Sequence, residues 1–408
     1  MKFFELNNVK TVFEKIDDTP RTAIYLYLSA NGKQLQNGAH VMLGNLLLQG
    51  TNGKNAEQIA LELEENGIEV TVDSRIDFLR VSIVCLDEDI EKALKIVNEI
   101  MIDSNFKTFD KEVFKFKNDT LASLDSPVTK ASDAYYRELF KNHKYGVTNT
   151  KILETIDKMT INDVERYHRE LLSGRKIVSV ATGVKDTDYL SNLITNKLAC
   201  MKNSFDGDII EDAVQKNGES LIKIEKNDAK QAQIFQGRVV PGLRSEDCAK
   251  LNVLNSLLGG AGLSSRLFVE LRDKKGLAYT VRSTYKTLKD GAYFTLYIGT
   301  ESSNIKKSLQ GFQTEIQRLI DEPPSNEELN GAIENLTGRY KYLYTQTNAQ
   351  IAAVNGWSYI NGLSFDYNEN LLKEVKKVTS SDIAEMAEKY LSKESVTVVL
   401  APKEFLNF

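Results

Sequence analysis

Apolar residues recur along the chain with two periods, one typical of strands and one typical of helices. In residues 22–30, Ile24, Leu26 and Leu28 fall on one face, as in a strand, whereas residues 89–101 carry an apolar stripe at helical spacing. Similar strand patterns cover residues 69–71, 79–85, 177–183, 232–238, 279–285, 292–299 and 396–401. Helical patterns cover residues 39–48, 55–66, 109–124, 131–142, 161–172, 248–258, 265–274, 305–319, 326–346, 351–363 and 381–391. This mixture of strands and helices predicts an α+β fold.

The order of these patterns repeats in the second half of the chain. An apolar helix ends at Gly50 and again at Gly259, a shift of about 209 residues, and residues 89–94 resemble residues 304–309. Such a repeat predicts an internal duplication. We therefore expect two homologous domains, each an antiparallel-rich mixed sheet with helices packed on one face. The predicted first domain, polar linker and second domain are residues 1–202, 203–218 and 219–408.

Composition narrows the class of protein. Of the 408 residues, 41% are hydrophobic and 27% are charged, which is ordinary for a globular protein. A net charge of -5 argues against a dedicated nucleic-acid binder, and no apolar run approaches the ~20 residues that span a bilayer. The cysteines Cys85, Cys200 and Cys248 are far apart, as in a reducing compartment. We expect a cytoplasmic protein without a nucleic-acid or membrane partner.

One long segment carries a specific resemblance. The residues from Leu257 to Phe268 read LLGGAGLSSRLF, and those from Glu270 to Tyr279 read ELRDKKGLAY. This resembles the second domain of the pitrilysin/insulysin-type zinc peptidases, in particular the short-chain branch that includes the mitochondrial processing peptidase. Shorter agreements lie at residues 109–112, 126–127, 143–146, 231–233 and 324–329. The resemblance covers about residues 10–402 and implies the two-domain fold of that family.

The zinc motif of this family is missing. Active members carry H-x-x-E-H on the first long helix, where two His bind zinc and the Glu activates a bound water. Aligned from Gly50, these positions hold Val41, Gly44 and Asn45 in place of His, Glu and His. The position of the distal glutamate ligand falls at Ser123. The resemblance therefore implies no metal in this chain and no peptidase activity of the chain alone.

The histidine count supports the same conclusion without an alignment. The only histidines are His40, His143 and His168, and no two of them have ligand spacing on one helix. We expect His40 at the start of a helix, His143 as the cap of a helix end and His168 on a polar helix face. Phosphate-loop and nucleophile-elbow motifs are also absent from the sequence.

A second set of family residues is present. Arg272 and Tyr279 have the family spacing, and the resemblance implies that such a pair reaches a zinc site, where it holds the substrate backbone and the oxyanion. Gly259, Gly260 and Gly262 correspond to a loop that lines the substrate chamber. The resemblance thus implies an accessory subunit of a peptide-processing heterodimer, which supplies these residues in trans to a zinc-bearing homologue. Zinc is expected only in that partner.

Other interpretations remain open at this stage. The chain could be a non-proteolytic scaffold of the same fold, or a homodimer that binds peptides without cutting them. Outside the family frame, Arg272 reads as a surface ion-pair residue and Tyr279 as an ordinary strand aromatic. Catalysis rebuilt on carboxylates such as Glu69, Asp73 or Asp77 is a further alternative, although carboxylates are common at strand ends.

Overall fold

The computed structural model describes residues 2–6, 9–15, 20–30, 38–173, 177–183, 187–197, 213–215, 218–364 and 366–408. The strands are β1 Lys2–Leu6, β2 Val9–Lys15, β3 Arg21–Ser29, β4 Glu69–Ser74, β5 Phe78–Leu86, β6 Ile177–Gly183, β7 Ser220–Glu225, β8 Ala232–Val240, β9 Ala278–Thr287, β10 Ala292–Thr300 and β11 Val396–Ala401. The predicted linker, residues 203–218, and Cys200 lie mostly or wholly outside the described residues.

The helices follow the predicted order, with additional short ones. They are α1 Ala39–Leu46, α2 Ala56–Glu64, α3 Ile90–Asp103, α4 Phe109–Ser123, α5 Pro127–Leu139, α6 Asn149–Leu153, α7 Ile161–Ser173, α8 Thr187–Lys197, α9 Cys248–Asn255, α10 Ile305–Asp321, α11 Asn326–Tyr344, α12 Asn348–Ile360, α13 Tyr367–Val375 and α14 Ser380–Met386. Three segments are π-helical: Ser256–Gly260, Phe268–Lys274 and Ala387–Leu391.

The two sheets share one strand order. Among the described residues, the first sheet runs β1-β2-β6-β3-β5-β4 and the second runs β7-β11-β8-β10-β9. Each has one parallel pair at the matching place, β2 with β6 and β7 with β11, and the neighbouring pairs are antiparallel. Apart from β1, the strands therefore correspond one to one. The α+β class and the duplicated, antiparallel-rich sheets are confirmed.

The first sheet is covered on both faces. Successive side chains of β3 point to opposite faces, and nearly all of them are buried. On one face, Ala23 and Tyr27 join a cluster with Ala352 and Ile360 of α12, and the Tyr27 hydroxyl donates to the Ala353 carbonyl at 2.8 Å. Helix α12 begins at a capping box, in which Thr347 and Gln350 exchange side-chain and backbone hydrogen bonds.

The second sheet has the same two-sided arrangement. Leu251, Phe294 and Phe312 belong to the large core between β8–β10 and helices α9, α10 and α14. On the other face, Tyr135 of α5 stacks on Phe235 and its hydroxyl lies 2.8 Å from Thr295 Oγ1. The sequence predicted helices on one face of each sheet. The structure has these helices and one more on the opposite face, α12 for the first sheet and α5 for the second.

These covering helices come from the opposite half of the chain. One compact unit comprises residues 1–119, 152–209 and 341–367, and the other comprises residues 120–151, 210–340 and 368–408. Helix α5 therefore packs in the second unit and α12 in the first. The sequence boundaries at residues 202 and 219 stay a prediction. In the part of the chain that the structure describes, no helix is long and apolar enough to cross a membrane.

Candidate functional site

Helix α1 holds the positions of the missing zinc motif, and its packing leaves little room there. Val41 is half-buried and Asn45 is exposed. A Cβ atom on Gly44 would lie 2.8 Å from Cβ of Ser74 in β4, closer than real Cβ contacts. The helix thus approaches β4 to a distance that only glycine permits, and a glutamate could not replace Gly44 without a shift of the backbone.

Two of the three histidines, His40 and His168, are buried, and His143 is half-buried. His40 is 5% exposed, its Nδ1 has no hydrogen-bond partner among the described residues, and burial lowers its pKa to about 4. The prediction for His168 is wrong: it is 7% exposed, it packs edge-on against Phe106, and burial lowers its pKa to about 4. His143 is a cap, but of the start of the short 3₁₀-helix Lys144–Gly146 and not of a helix end as predicted: its Nδ1 accepts from the backbone N–H of Tyr145 at 3.2 Å.

The distal ligand position does not supply a donor set for a metal. Ser123 ends α4, is exposed, and donates from Oγ to the Thr120 carbonyl at 2.7 Å. Within the described ranges, no group of three or more His, Cys, Asp or Glu side chains could hold a metal ion. Because α1 contributes an alkyl group, a bare backbone position and an amide, these residues do not fit the zinc ion of the family.

Of the carboxylates considered for rebuilt catalysis, Asp73 is bound in ion pairs. Its two oxygens lie 2.6 Å from Arg75 Nε and 3.2 Å from Arg80 Nη2. This arrangement is that of a strand-end ion-pair network, and such networks belong to surface structure more often than to catalysis.

Arg272 and Tyr279 contact each other. Arg272 lies in the π-helical segment Phe268–Lys274, and Tyr279 is the second residue of β9. The Arg272 Cζ lies 4.8 Å from the centre of the Tyr279 ring and 4.3 Å from that of Phe268. Phe268 is buried, whereas Tyr279 is 77% exposed. The Phe268 ring thus anchors the guanidinium beside a tyrosine that faces solvent.

The three glycines lie at the same place, Gly259 and Gly260 in close packing and Gly262 in an open turn. Helix α9 continues into the π-helical turn Ser256–Gly260, which lies directly on β9. A Cβ atom on Gly259 would lie 2.2 Å from the Ser283 backbone nitrogen, so the approach requires glycine. Gly262 has φ of 73°, in the left-handed region that favours glycine. Ser283 Oγ, 2.8 Å from Asn255 Oδ1, ties the strand to the end of α9.

All five residues proposed from the sequence line one cavity of about 660 Å³. Its walls also include Phe268 and the strand residues 280–284. The sequence did not single out two further basic residues of this lining, Arg282 of β9 and Arg339 of α11. The alternation of buried Val281 and Ser283 with Arg282 could have marked Arg282 as outward-facing. No sequence signal pointed to Arg339, because α11 reaches the cavity only through tertiary packing. The roles of these residues stay predictions.

Comparison with known protein families and sequences gives matches along most of the chain. A family model described as insulinase (peptidase family M16) matches residues 27–152, and one described as peptidase M16 inactive domain matches residues 158–336. The chain is 25% identical over 395 residues to the non-peptidase homolog YmxG of Helicobacter pylori, covering 93% of this chain and 89% of that protein. It is 22% identical over 405 residues to the uncharacterized zinc protease YmxG of Bacillus subtilis, covering 97% of each.

Solved structures match over nearly the whole length. A peptidase M16 inactive domain from Pseudomonas fluorescens has a TM-score of 0.88 at 21% identity, covering 98% of each chain. A protease from Helicobacter pylori also has a TM-score of 0.88, at 19% identity, covering 98% of this chain and 99% of that one. At these identities the structures establish a shared fold.

Proposed function

The chain belongs to the insulinase (peptidase M16) family, and from that premise we propose that it is the accessory subunit of a peptide-processing pair. Some of its relatives are named zinc proteases and one is named a non-peptidase homolog. The residues of this chain therefore have to show whether it can bind zinc and catalyse peptide cleavage. Val41, Gly44 and Asn45 supply neither the ligands nor the general base of a zinc peptidase, and the chain is therefore a non-catalytic member of the family.

The observation that carries the accessory role is the pocket of the second unit. It brings together Arg272, Tyr279 and the glycine-rich loop in one open cavity. Tyr279 is 77% exposed, so its ring and hydroxyl are accessible to a ligand in this pocket. The chain thus lacks the metal ligands but carries an exposed tyrosine on β9, with a stacked arginine beside it and the glycine-rich turn in the same pocket.

The chemistry of the pair suits a site completed in trans. The Tyr279 hydroxyl can donate to a carbonyl oxygen that gains negative charge, and Arg272 adds a fixed positive charge with several N–H donors. The open backbone at Gly262, with no atom within 4 Å of a Cβ position, leaves room for an extended peptide. These residues bind and orient the substrate, while the partner supplies zinc and the general base.

The proposed partner is a zinc-bearing homologue that forms a heterodimer with this chain. Zinc resides in that subunit alone under the proposal, and the substrate is a peptide. Cys85 and Cys248 are buried and form no disulfide within the described residues, which supports a reducing location such as the cytoplasm.

The proposal is tested by purifying the chain alone and together with an H-x-x-E-H homologue, then measuring zinc content and cleavage of a fluorogenic peptide. We expect a metal-free, inert chain and a pair that cuts faster than the homologue alone. Tyr279→Phe should reduce kcat of the pair about 100-fold, the usual effect of losing an oxyanion donor. Arg272→Ala should also reduce kcat/KM strongly. Tyr342→Phe is the matched control, because Tyr342 is a similarly exposed tyrosine, at 73%, outside the pocket.

Full activity of the pair with Tyr279→Phe and Arg272→Ala would refute the trans site. If neither preparation cuts peptides but the chain alone binds them, the peptide-binding homodimer is the better description. Stoichiometric zinc and cleavage by the chain alone would overturn the non-catalytic assignment.

A further inference from the structure

The pocket carries an unusual charge for this protein. Three arginines, Arg272, Arg282 and Arg339, are among its described lining residues, and no Asp or Glu is. The chain as a whole has a net charge of -5, so this concentration of positive charge runs against the average. Like charges in one cavity repel each other, and a bound anion offsets this repulsion.

Basic residues near the pocket form ion pairs with carboxylates, whereas the described structure gives no ion pair for the three pocket arginines. Arg266 makes two parallel bonds to Glu328, at 2.7 and 2.9 Å. Glu270 accepts from Lys274 at 2.7 Å and from Arg318 at 3.0 Å. In the described part of the chain, no ion pair involves a guanidinium of the pocket. Glu328 and Glu270 are thus already engaged by other cations, and the pocket arginines have no carboxylate partner among the described residues.

Each pocket guanidinium is positioned by an uncharged group. Arg272 stacks on the rings of Phe268 and Tyr279, as described above. The Arg282 Cζ lies 4.8 Å from the ring centre of Tyr297, its cross-strand neighbour on β10. Arg339 donates from Nη1 to the Gly260 carbonyl at 2.7 Å. Ring contacts use none of the N–H donors, so most of the donors remain free for a ligand.

We infer that this pocket binds carboxylate groups of a peptide, from acidic side chains or from a free carboxyl terminus; the inference rests on the peptide binding proposed for the same site. The forked N–H donors of arginine match a carboxylate in two parallel bonds. A cavity of about 660 Å³ accepts a short peptide segment, and the exposed ring of Tyr279 offers surface to its methylene groups. Arg282 and Arg339 therefore determine specificity for the carboxylates, next to Arg272 and Tyr279, which hold the peptide backbone.

The test measures fluorescence anisotropy of labelled peptides with the full chain. The probes are a glutamate-rich peptide and the same peptide with glutamine at every glutamate, each with a free and with an amidated carboxyl terminus. We expect the glutamate peptide to bind at least tenfold more tightly than its amidated glutamine counterpart, and added salt to reduce the difference. Arg282→Gln and Arg339→Gln should each weaken binding of the glutamate peptide about fivefold, as for exposed ion pairs, and should change binding of the amidated glutamine peptide, which has no carboxylate, by a smaller factor. Arg282→Lys and Arg339→Lys should restore part of the preference, because they keep the charge.

The four probes separate the outcomes. A preference that depends only on glutamate assigns the pocket to acidic side chains, and one that depends only on the free carboxyl terminus assigns it to chain ends. Equal binding of all probes, weakened by Tyr279→Ala, would keep the peptide site and overturn the carboxylate inference. An acidic preference that survives in the Arg282→Gln/Arg339→Gln double variant would also overturn it. No binding of any probe would reject both the inference and peptide binding by this chain.

Discussion

The buried histidines give a pH dependence of stability that can be worked out from the structure. Burial lowers the pKa of both His40 and His168 from 6.5 to about 4. In the unfolded chain the imidazoles take up protons as the pH falls below 6.5, whereas in the folded chain they stay neutral until about pH 4. The unfolded state then binds more protons, so stability is complete above pH 6.5 and falls as the pH is lowered towards 4.

The size of the effect follows from the same pKa difference. When the pH falls from 7 to 5, each histidine lowers the free energy of unfolding by about 2 kcal/mol, and the two together lower it by about 4 kcal/mol. A typical domain has a stability of roughly 5–15 kcal/mol, so the loss is large. Carboxylates with lowered pKa values, such as Asp163 and Asp382, act mainly below this window, because they must first be protonated.

The assay is urea unfolding at pH 7, 6 and 5 and constant ionic strength, followed by tryptophan fluorescence. The single tryptophan, Trp357, lies in the same unit as His40 and His168 and reports on that unit. His40→Gln and His168→Gln should each halve the pH slope, and the double variant should be nearly flat, whatever their stability at pH 7. A wild-type free energy that is unchanged between pH 7 and pH 5, or a double variant with the full slope, would refute the reasoning.

Two further predictions concern the glycines. The triple variant V41H/G44E/N45H should bind no stoichiometric zinc by elemental analysis and should melt at a lower temperature, because the glutamate collides with β4; strong zinc uptake would show that a third ligand has been overlooked. Gly259→Ala should destabilise the chain by about 1–3 kcal/mol in thermal unfolding, since its Cβ meets the backbone of β9. Gly331→Ala, on an open helix surface, should stabilise it by up to about 1 kcal/mol, and equal effects of the two would contradict this account.

The sequence predicted the parts of the fold that local periodicity encodes. The strand at residues 177–183 is β6 without any change in its bounds, and the pattern at residues 89–101 corresponds to α3 within two residues. Strand β7 was missed, although Ile222 and Ile224 alternate with exposed residues, because it is a short edge strand next to a polar segment.

Only those site residues that belong to a sequence motif of the family could be predicted. Arg272 and Tyr279 are separated by only one short turn between a helical segment and β9, so their contact could be expected. Arg282 and Arg339 reach the same cavity through the packing of β9 and α11, which no local pattern encodes. The polar-face prediction for His168 failed for a related reason. Hydrophobic neighbours in space, such as Phe106, bury it from outside its own helix.

The placement of α12 in the first unit has a consequence for the newly made chain. The ribosome synthesises β3 and β6 long before it reaches residue 360, where α12 ends. One face of the first sheet therefore lacks its covering helix during about half of translation. Over this time the apolar ring of Tyr27 and its neighbours on the nascent chain lack their native cover. Such exposed faces are the surfaces that chaperones bind. Completion of the first unit is therefore a late, largely post-translational event, and stalled or truncated products that end before α12 are expected to aggregate.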